Sequence, residues 1–137
     1  MAETKEDGKQ ALMEYQMIEQ HTKQLQQHLE MAQQQIMEIA MTLNSLDEFK
    51  SIKAGKEIFV PINSGIFAKA TIKDTSELLV NVGSGVVVLK DVDGAKKLIS
   101  GQLEEVKKAQ KQIIDQLEQL AYRASQIEEK IQGIQPQ

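Results

Sequence analysis

The chain has 137 residues, a formal net charge of −4, no Cys, no Trp and only 4% aromatic residues. Without Cys there is no disulfide framework and no thiolate metal site, and the scarcity of large rings argues against an ordinary globular core. Charge falls in blocks of −4 over residues 1–46, +1 over 47–98 and −1 over 99–137; none is the dense basic stripe that a phosphate backbone requires, which excludes nucleic acid as an expected partner.

Residues 1–10 are polar and acidic, unlike a signal or transit peptide. No apolar run approaches the ~18 residues of a membrane span. The expectation is a cytoplasmic protein with no membrane partner. All eighteen Gln lie outside residues 42–101, nine on each side. Two similar flanks therefore surround a different centre.

The first flank carries Ala11, Tyr15, Ile18, Thr22, Leu25, Leu29, Ala32, Ile36, Ile39, Leu43 and Leu46 in steps that alternate four and three. That is the 3.5-residue repeat of a left-handed coiled coil. No Pro or Gly interrupts residues 9–54, and the pattern predicts a helix over 9–50.

The centre changes period. Glu57 to Ile62 reads as a strand with Pro61 near its end, where an edge or terminus tolerates it. Asn63-Ser64-Gly65 is a turn, and Ile66 to Ile72 alternates with Ile66, Ala68, Ala70 and Ile72 on one face. Lys73 to Ser76 turns again. Leu78 to Val82 and Val86 to Leu89 are strands joined by the hairpin turn Gly83-Ser84-Gly85. Residues 57–90 are thus two β-hairpins, with Lys50 to Lys56 and Asp91 to Gly94 as connectors to the helices.

The second flank repeats the first. Ile99, Leu103, Val106, Gln110, Ile113, Leu117, Leu120, Ala124, Ile127, Ile131 and Ile134 again alternate four and three, predicting a helix over 95–134. Each seam has eleven positions and, at ~1.5 Å per residue, spans roughly 50–55 Å. The two can fold back antiparallel, with Leu46 facing Ile99 and Ala11 facing Ile134. Each helix seeking a partner in another chain is the alternative, which equal lengths make unnecessary. The fold class is α+β: a long antiparallel two-helix coiled coil with two central β-hairpins, all in one domain over residues 1–137.

The strands carry apolar residues on both faces: Ile58, Val60 and Ile62 against Phe59, then Leu78, Val80 and Val82 against Leu79, then Val86 and Val88 against Val87 and Leu89. A half-exposed antiparallel sheet would alternate apolar with polar. Open edges also recruit other strands, and closure of several hairpins into a barrel solves both problems. Ile58, Phe59, Val60, Ile62, Ile66, Phe67, Leu78, Leu79, Val80, Val82, Val86, Val87, Val88 and Leu89 are the expected oligomerisation surface.

Phe59-Val60-Pro61-Ile62-Asn63-Ser64-Gly65-Ile66-Phe67-Ala68-Lys69-Ala70 resembles the α-class pattern of the prefoldin family, and Leu79-Val80-Asn81-Val82-Gly83-Ser84-Gly85-Val86 resembles that family's second hairpin. With the flanking helices the resemblance to archaeal-type α-class subunits covers nearly the whole chain. Ile62 stands where Leu is commoner, and Leu89-Lys90 where an acid is frequent. Neither departure touches the architecture. The resemblance implies a hexamer of two α-type and four β-class subunits whose arms hang from a double barrel. It also implies an ATP-independent holdase that grips non-native polypeptides at the arm tips and delivers them to a group II chaperonin. Some α-class relatives assemble instead into filaments or homo-oligomers.

Near the expected tip, Leu12, Met13 and Met17 lie off the seam of Ala11, Tyr15 and Ile18, and Ile127, Ile131 and Ile134 approach the same end. Splaying of the helices would add the seam residues Tyr15, Ile18, Ile127, Ile131 and Ile134 to a client-binding surface. Flexible, polarizable Met suits a binder of many sequences. The bland reading, ordinary flank residues at a frayed end, weighs equally on the residues alone; the resemblance tips the balance toward client contact. Met31, Met37 and Met41 also leave the seam, either lining a cavity wall or packing on nothing. His21 and His28, two turns apart with no third ligand, read as solvated side chains, so no metal is expected. Gly83-Ser84-Gly85 leads into a strand, whereas a phosphate loop leads into a helix. No cofactor and no enzymatic activity are expected. A structural coiled-coil adaptor, docking folded partners, is the competing function; suppression of aggregation of unrelated unfolding proteins without ATP separates the two.

Overall fold

The computed structural model describes residues 5–134, with the side chain of Ile134 outside the description. The element order is α1 (Lys5–Lys50), β1 (Glu57–Asn63), β2 (Ile66–Thr71), β3 (Leu78–Gly83), β4 (Val86–Lys90) and α2 (Val92–Ile134). Two long packed helices and two antiparallel hairpins are therefore the whole inventory among the described residues. α1 begins before Gly8, and α2 takes in Val92 to Gly94, which the sequence pattern assigns to the connector. Asp91 accounts for the second difference. Its carboxylate accepts a hydrogen bond from the Gly94 backbone N–H at 2.7 Å, and its carbonyl accepts from the Ala95 N–H at 2.9 Å. Asp91 is the N-cap, satisfying a backbone donor that the first helical turn leaves without a partner.

The chain divides into two compact units, Met1–Ile36 with Glu105–Gln137 and, separately, Met37–Glu104. In the first, Ala11, Ile18 and Ile127 form a buried cluster, and Tyr15, Leu120, Ala124 and Ile131 pack against it. Leu25 and Ala32 are also buried. Every described position of the two predicted seams is buried or half-buried, including the polar exceptions Thr22 and Gln110. The heptad stripe is the covered stripe.

The second unit holds the hairpins. Its buried side chains are Val92 and Ala95, at the start of α2. They lie seven and four residues before Ile99, and half-buried Phe49 lies three after Leu46, so the covered face runs on past both seam ends although the strict alternation of four and three stops there. Gly55 N donates to Ile72 O at 2.6 Å and Ile72 N to Lys56 O at 2.9 Å, so the β1–β2 ladder extends into the connector after α1.

β1 pairs with β2, and β3 with β4, as two separate two-stranded sheets. Each hairpin has a register shift just before its turn, between Pro61 and Asn63 in the first and between Asn81 and Gly83 in the second. Ile62 and Val82 are thereby left without cross-strand partners, the signature of a β-bulge. The strict alternation that grouped them with Ile58 and Val60, or with Leu78 and Val80, stops one residue short. In the second turn Ser84 and Gly85 have φ of 53° and 75°, both left-handed, as a two-residue hairpin loop that follows the strand twist requires. An Asn anchors each bulge: Asn63 Oδ1 accepts from Ser64 N at 2.7 Å and Asn81 Oδ1 from Gly83 N at 2.9 Å.

Candidate interaction surfaces

The hairpins leave large apolar side chains exposed on their faces. Directly paired residues project to the same side of an antiparallel sheet. The pairs Ile58–Ala70 and Val60–Ala68 therefore define one face of the first hairpin, and Phe59–Lys69 with Pro61–Phe67 the other. In the second hairpin Val80–Val88 and Leu78–Lys90 share one face, Leu79–Leu89 and Asn81–Val87 the other. Ile58, Ala68, Ala70, Leu78, Val80 and Val88 are half-buried. The opposite faces are open: Phe59 is 68% exposed and Leu79 74%, and Phe67, Val87 and Leu89 are exposed with them. Val60, Ile62, Ile66, Val82 and Val86 are exposed as well. No strand residue is buried.

The two open faces are not chemically alike. On the first, Lys69 Nζ lies 3.0 Å from Glu57 Oε2, a diagonal cross-strand ion pair beside Phe59. The second presents Leu79, Leu89 and Val87 with Asn81 and no charge. Since each sheet has two strands, every strand also keeps one edge without a backbone partner in its sheet. Exposed apolar faces together with open edges are the features that lead strands to pair between chains.

In the first unit, the residues expected to contact clients separate into two groups. Leu12, Met13 and Met17 are exposed on α1, Met13 at 63% and Met17 at 69%. Ile18 and Ile127 are buried at 8% and 2%, and Tyr15 and Ile131 are half-buried against them. These four are the seam itself: Ile18 and Ile127 are covered while the helices stay packed, and Tyr15 and Ile131 keep only part of their surface open. Ile134, the eighth residue of that set, has its side chain outside the described residues.

Charged pairs staple the helices inside each unit. Arg123 Nε donates to Glu14 Oε1 at 2.9 Å and Nη2 to Oε2 at 3.2 Å, a bidentate fork across the seam. That hydrogen bond and the Glu14 charge push the guanidinium's titration further up. In the second unit Lys50 pairs with Asp93 at 2.9 Å and Lys96 pairs with Asp47. The Lys50 ammonium holds the Asp93 carboxyl below the usual carboxylate range, and Asp93 in turn raises Lys50. Sequence inspection missed these pairs, though a signal existed. Asp47 and Lys50 on α1 and Asp93 and Lys96 on α2 are each three apart, with the same order of charge. An antiparallel alignment then sets every acid against a base.

The depression lined by Asp115, Glu118, Gln119 and Tyr122 is an open surface between successive turns of one helix. Among the described residues no group of three or more His, Cys, Asp or Glu is placed to hold a metal. No described helix is long and apolar enough to cross a membrane.

Comparison with known proteins gives a consistent result. The family model described as prefoldin subunit matches residues 18–137. The chain is similar to the prefoldin subunit alpha of Methanobrevibacter smithii, 37% identical over 98 residues, covering 72% of this chain and 66% of the relative. It is 30% identical to that of Thermofilum pendens over 86% of this chain and 92% of the relative. For Pyrococcus horikoshii the identity is 31%, over 98% and 92%. A cryo-EM structure of filamentous prefoldin from Methanocaldococcus jannaschii superposes with a TM-score of 0.76 at 16% identity, covering 89% of this chain and 98% of that one. At that identity the likeness concerns the fold.

Proposed function

The chain belongs to the prefoldin family, as a subunit of the α class, and on that premise we propose that it is the subunit of an ATP-independent holdase. Prefoldins are non-catalytic chaperones of the cytoplasm. In this reading residues 1–137 act as one domain. The hairpins close with those of β-class subunits, two α to four β, into a barrel. Leu12, Met13 and Met17 contact non-native polypeptides, which pass to a group II chaperonin. Tyr15, Ile18, Ile127, Ile131 and Ile134 join the contact where the helices part.

The observation that carries the assembly is the open apolar face of each hairpin, above all Leu79 and Leu89. The helices cannot supply its cover along the seam, because their own apolar stripes are already turned toward each other. Support for client contact comes from the exposure of Leu12, Met13 and Met17. Thioethers and Leu present adaptable apolar surface without a shape that selects one sequence.

The test uses the chain assembled with a β-class subunit and a thermally unfolding protein as client, without ATP. Wild type is expected to suppress light scattering at stoichiometric amounts. Replacing Leu12, Met13 and Met17 together by Ser is expected to leave the assembly mass unchanged and weaken suppression several-fold. Undiminished suppression by that variant removes these residues from the client surface, and failure of wild type to suppress at all favours the adaptor. The structure from Methanocaldococcus jannaschii is of a filamentous form; a filament is therefore the competing assembly, which the assembly mass separates.

A further inference from the structure

All five described methionines, Met13, Met17, Met31, Met37 and Met41, sit on α1 at 60–69% exposure; α2 has none. Three of them lie in the first unit, each two residues after a seam position: Met13 after Ala11, Met17 after Tyr15, Met31 after Leu29. The same flank continues through Gln20, Gln24, Gln27 and Gln34, all exposed. No charge interrupts it from Met13 to Gln34, although exposed coiled-coil positions usually carry Lys or Glu. Leu12 is one position off this line. Methionine is thus the apolar residue type on this flank.

Sulfur also makes the flank reactive. The chain has no Cys to intercept an oxidant, and thioethers are the next most readily oxidised side chains. Exposure decides which thioethers react, and none of these five is shielded. None belongs to the seam, so oxidation does not touch the packing that holds the helices.

We infer that Met13, Met17 and Met31 form an oxidation-sensitive element of the client-binding surface, switched off by peroxide-class oxidants and restored by a dithiol-dependent sulfoxide reductase. The inference rests on the client-contact reading above and adds its regulation. A sulfur lone pair attacks one peroxide oxygen, the S–O bond forms as the O–O bond breaks, and the departing hydroxide takes up the proton to leave as water. Sulfur loses two electrons and the peroxide gains them. In the return step the dithiol becomes a disulfide, and the sulfoxide oxygen leaves as water. The sulfoxide is polar and chiral where the thioether was apolar and compliant, so the flank loses its apolar contact with non-native chains.

The test treats the complex with β-class subunits with hydrogen peroxide, removes the peroxide with catalase, and then adds the unfolding client. Peptide mass spectrometry locates the added oxygens and circular dichroism follows the helices. Oxidised wild type is expected to lose suppression several-fold with its helical signal intact, and to regain it on incubation with methionine sulfoxide reductases and dithiothreitol. A variant with Met13→Leu, Met17→Leu and Met31→Leu, in the same complex, is expected to suppress before and after peroxide alike. Full suppression by wild type carrying sulfoxide at all three positions overturns the inference, as does equal loss in the Leu variant. The untreated Ser variant separates the two readings. If it loses suppression while oxidised wild type keeps it, only the oxidation step fails; if it suppresses normally, the client surface itself has been misplaced.

Discussion

The two units solve the same problem of apolar surface in opposite ways. Where α1 and α2 run together in the first unit, the stripe from Ala11 to Ala32 meets the stripe through Leu120, Ala124, Ile127 and Ile131, and both are covered within one chain. Where the chain turns into strands, Phe59, Phe67, Leu79, Val87 and Leu89 remain open. Side chains of similar hydrophobicity are satisfied in one place and unsatisfied in the other. The difference is periodicity. A 3.5-residue stripe confines apolar groups to one side of a helix, and a second stripe of equal length can cover it. Strands with apolar residues at consecutive positions have two greasy faces, and a two-stranded hairpin offers nothing to cover both. Local pattern therefore separates what the chain completes alone from what it completes with partners.

Breaking the open face is expected to have the largest effect. Leu79→Glu with Leu89→Glu sets two like charges opposite each other on the uncharged face of the second hairpin. Sedimentation is expected to show loss of assembly, while circular dichroism retains the helical signal. Persistence of the full assembly would show that this face is not used. On the covered side, Ile127→Ala removes the most deeply buried large side chain among the described residues and is expected to cost about 2–4 kcal/mol in urea unfolding. Ile114→Ala, on the exposed flank of the same helix, is expected to stay within about 0.5 kcal/mol; equal effects would mean that the seam does not carry the stability.

Smaller effects sharpen the comparison at the helix ends. Asp91→Ala removes the N-cap of α2 and is expected to cost about 1 kcal/mol. Gly94 is the residue that accommodates this cap, since a Cβ there would meet Asp91 Oδ1 at 2.7 Å. Gly101, in contrast, has nothing within 4 Å of the place a Cβ would take. Gly101→Ala is expected to raise stability by about 0.5–1 kcal/mol. The smallest effect concerns pH. Asp93, held down by Lys50, and Asp74, held down by hydrogen bonds from Ser76, contribute stability that is complete above the unfolded carboxylate value of 3.8. That contribution is lost as pH falls through their lower folded values. Lys50 contributes fully below its unfolded value of 10.5 and loses the contribution as pH rises through its higher folded value. From these groups, unfolding midpoints are expected to be flat between those limits and, because Asp93 and Lys50 form an exposed ion pair that salt screens, the decline from that pair is expected to be less steep at high salt.

Much of this was legible in the sequence. The alternating steps from Ala11 to Leu46 and from Ile99 to Ile131 identify the covered residues, because burial in a two-helix seam follows spacing alone. Gly83-Ser84-Gly85 marks its turn because positive φ at consecutive positions favours small residues. The bulges at Ile62 and Val82 were not legible, since an extra residue leaves composition and hydrophobicity unchanged. The start of α2 was obscured because Asp91-Val92-Asp93-Gly94 has turn composition, and only the cap geometry and the burial of Val92 and Ala95 make it helical. Among the client-contact candidates, the off-seam position of Leu12, Met13 and Met17 foretold their exposure. Spacing equally foretold that Ile18 and Ile127 are covered while the helices stay together.

The most direct measurement is the mass of the purified chain, alone and mixed with a β-class subunit, by sedimentation or native mass spectrometry at micromolar concentration. Hairpins that need foreign strands should appear only in species of more than one chain, with two copies of this chain to four partners in the mixture. A stable, cooperatively folded single copy that ignores the partner would contradict the account.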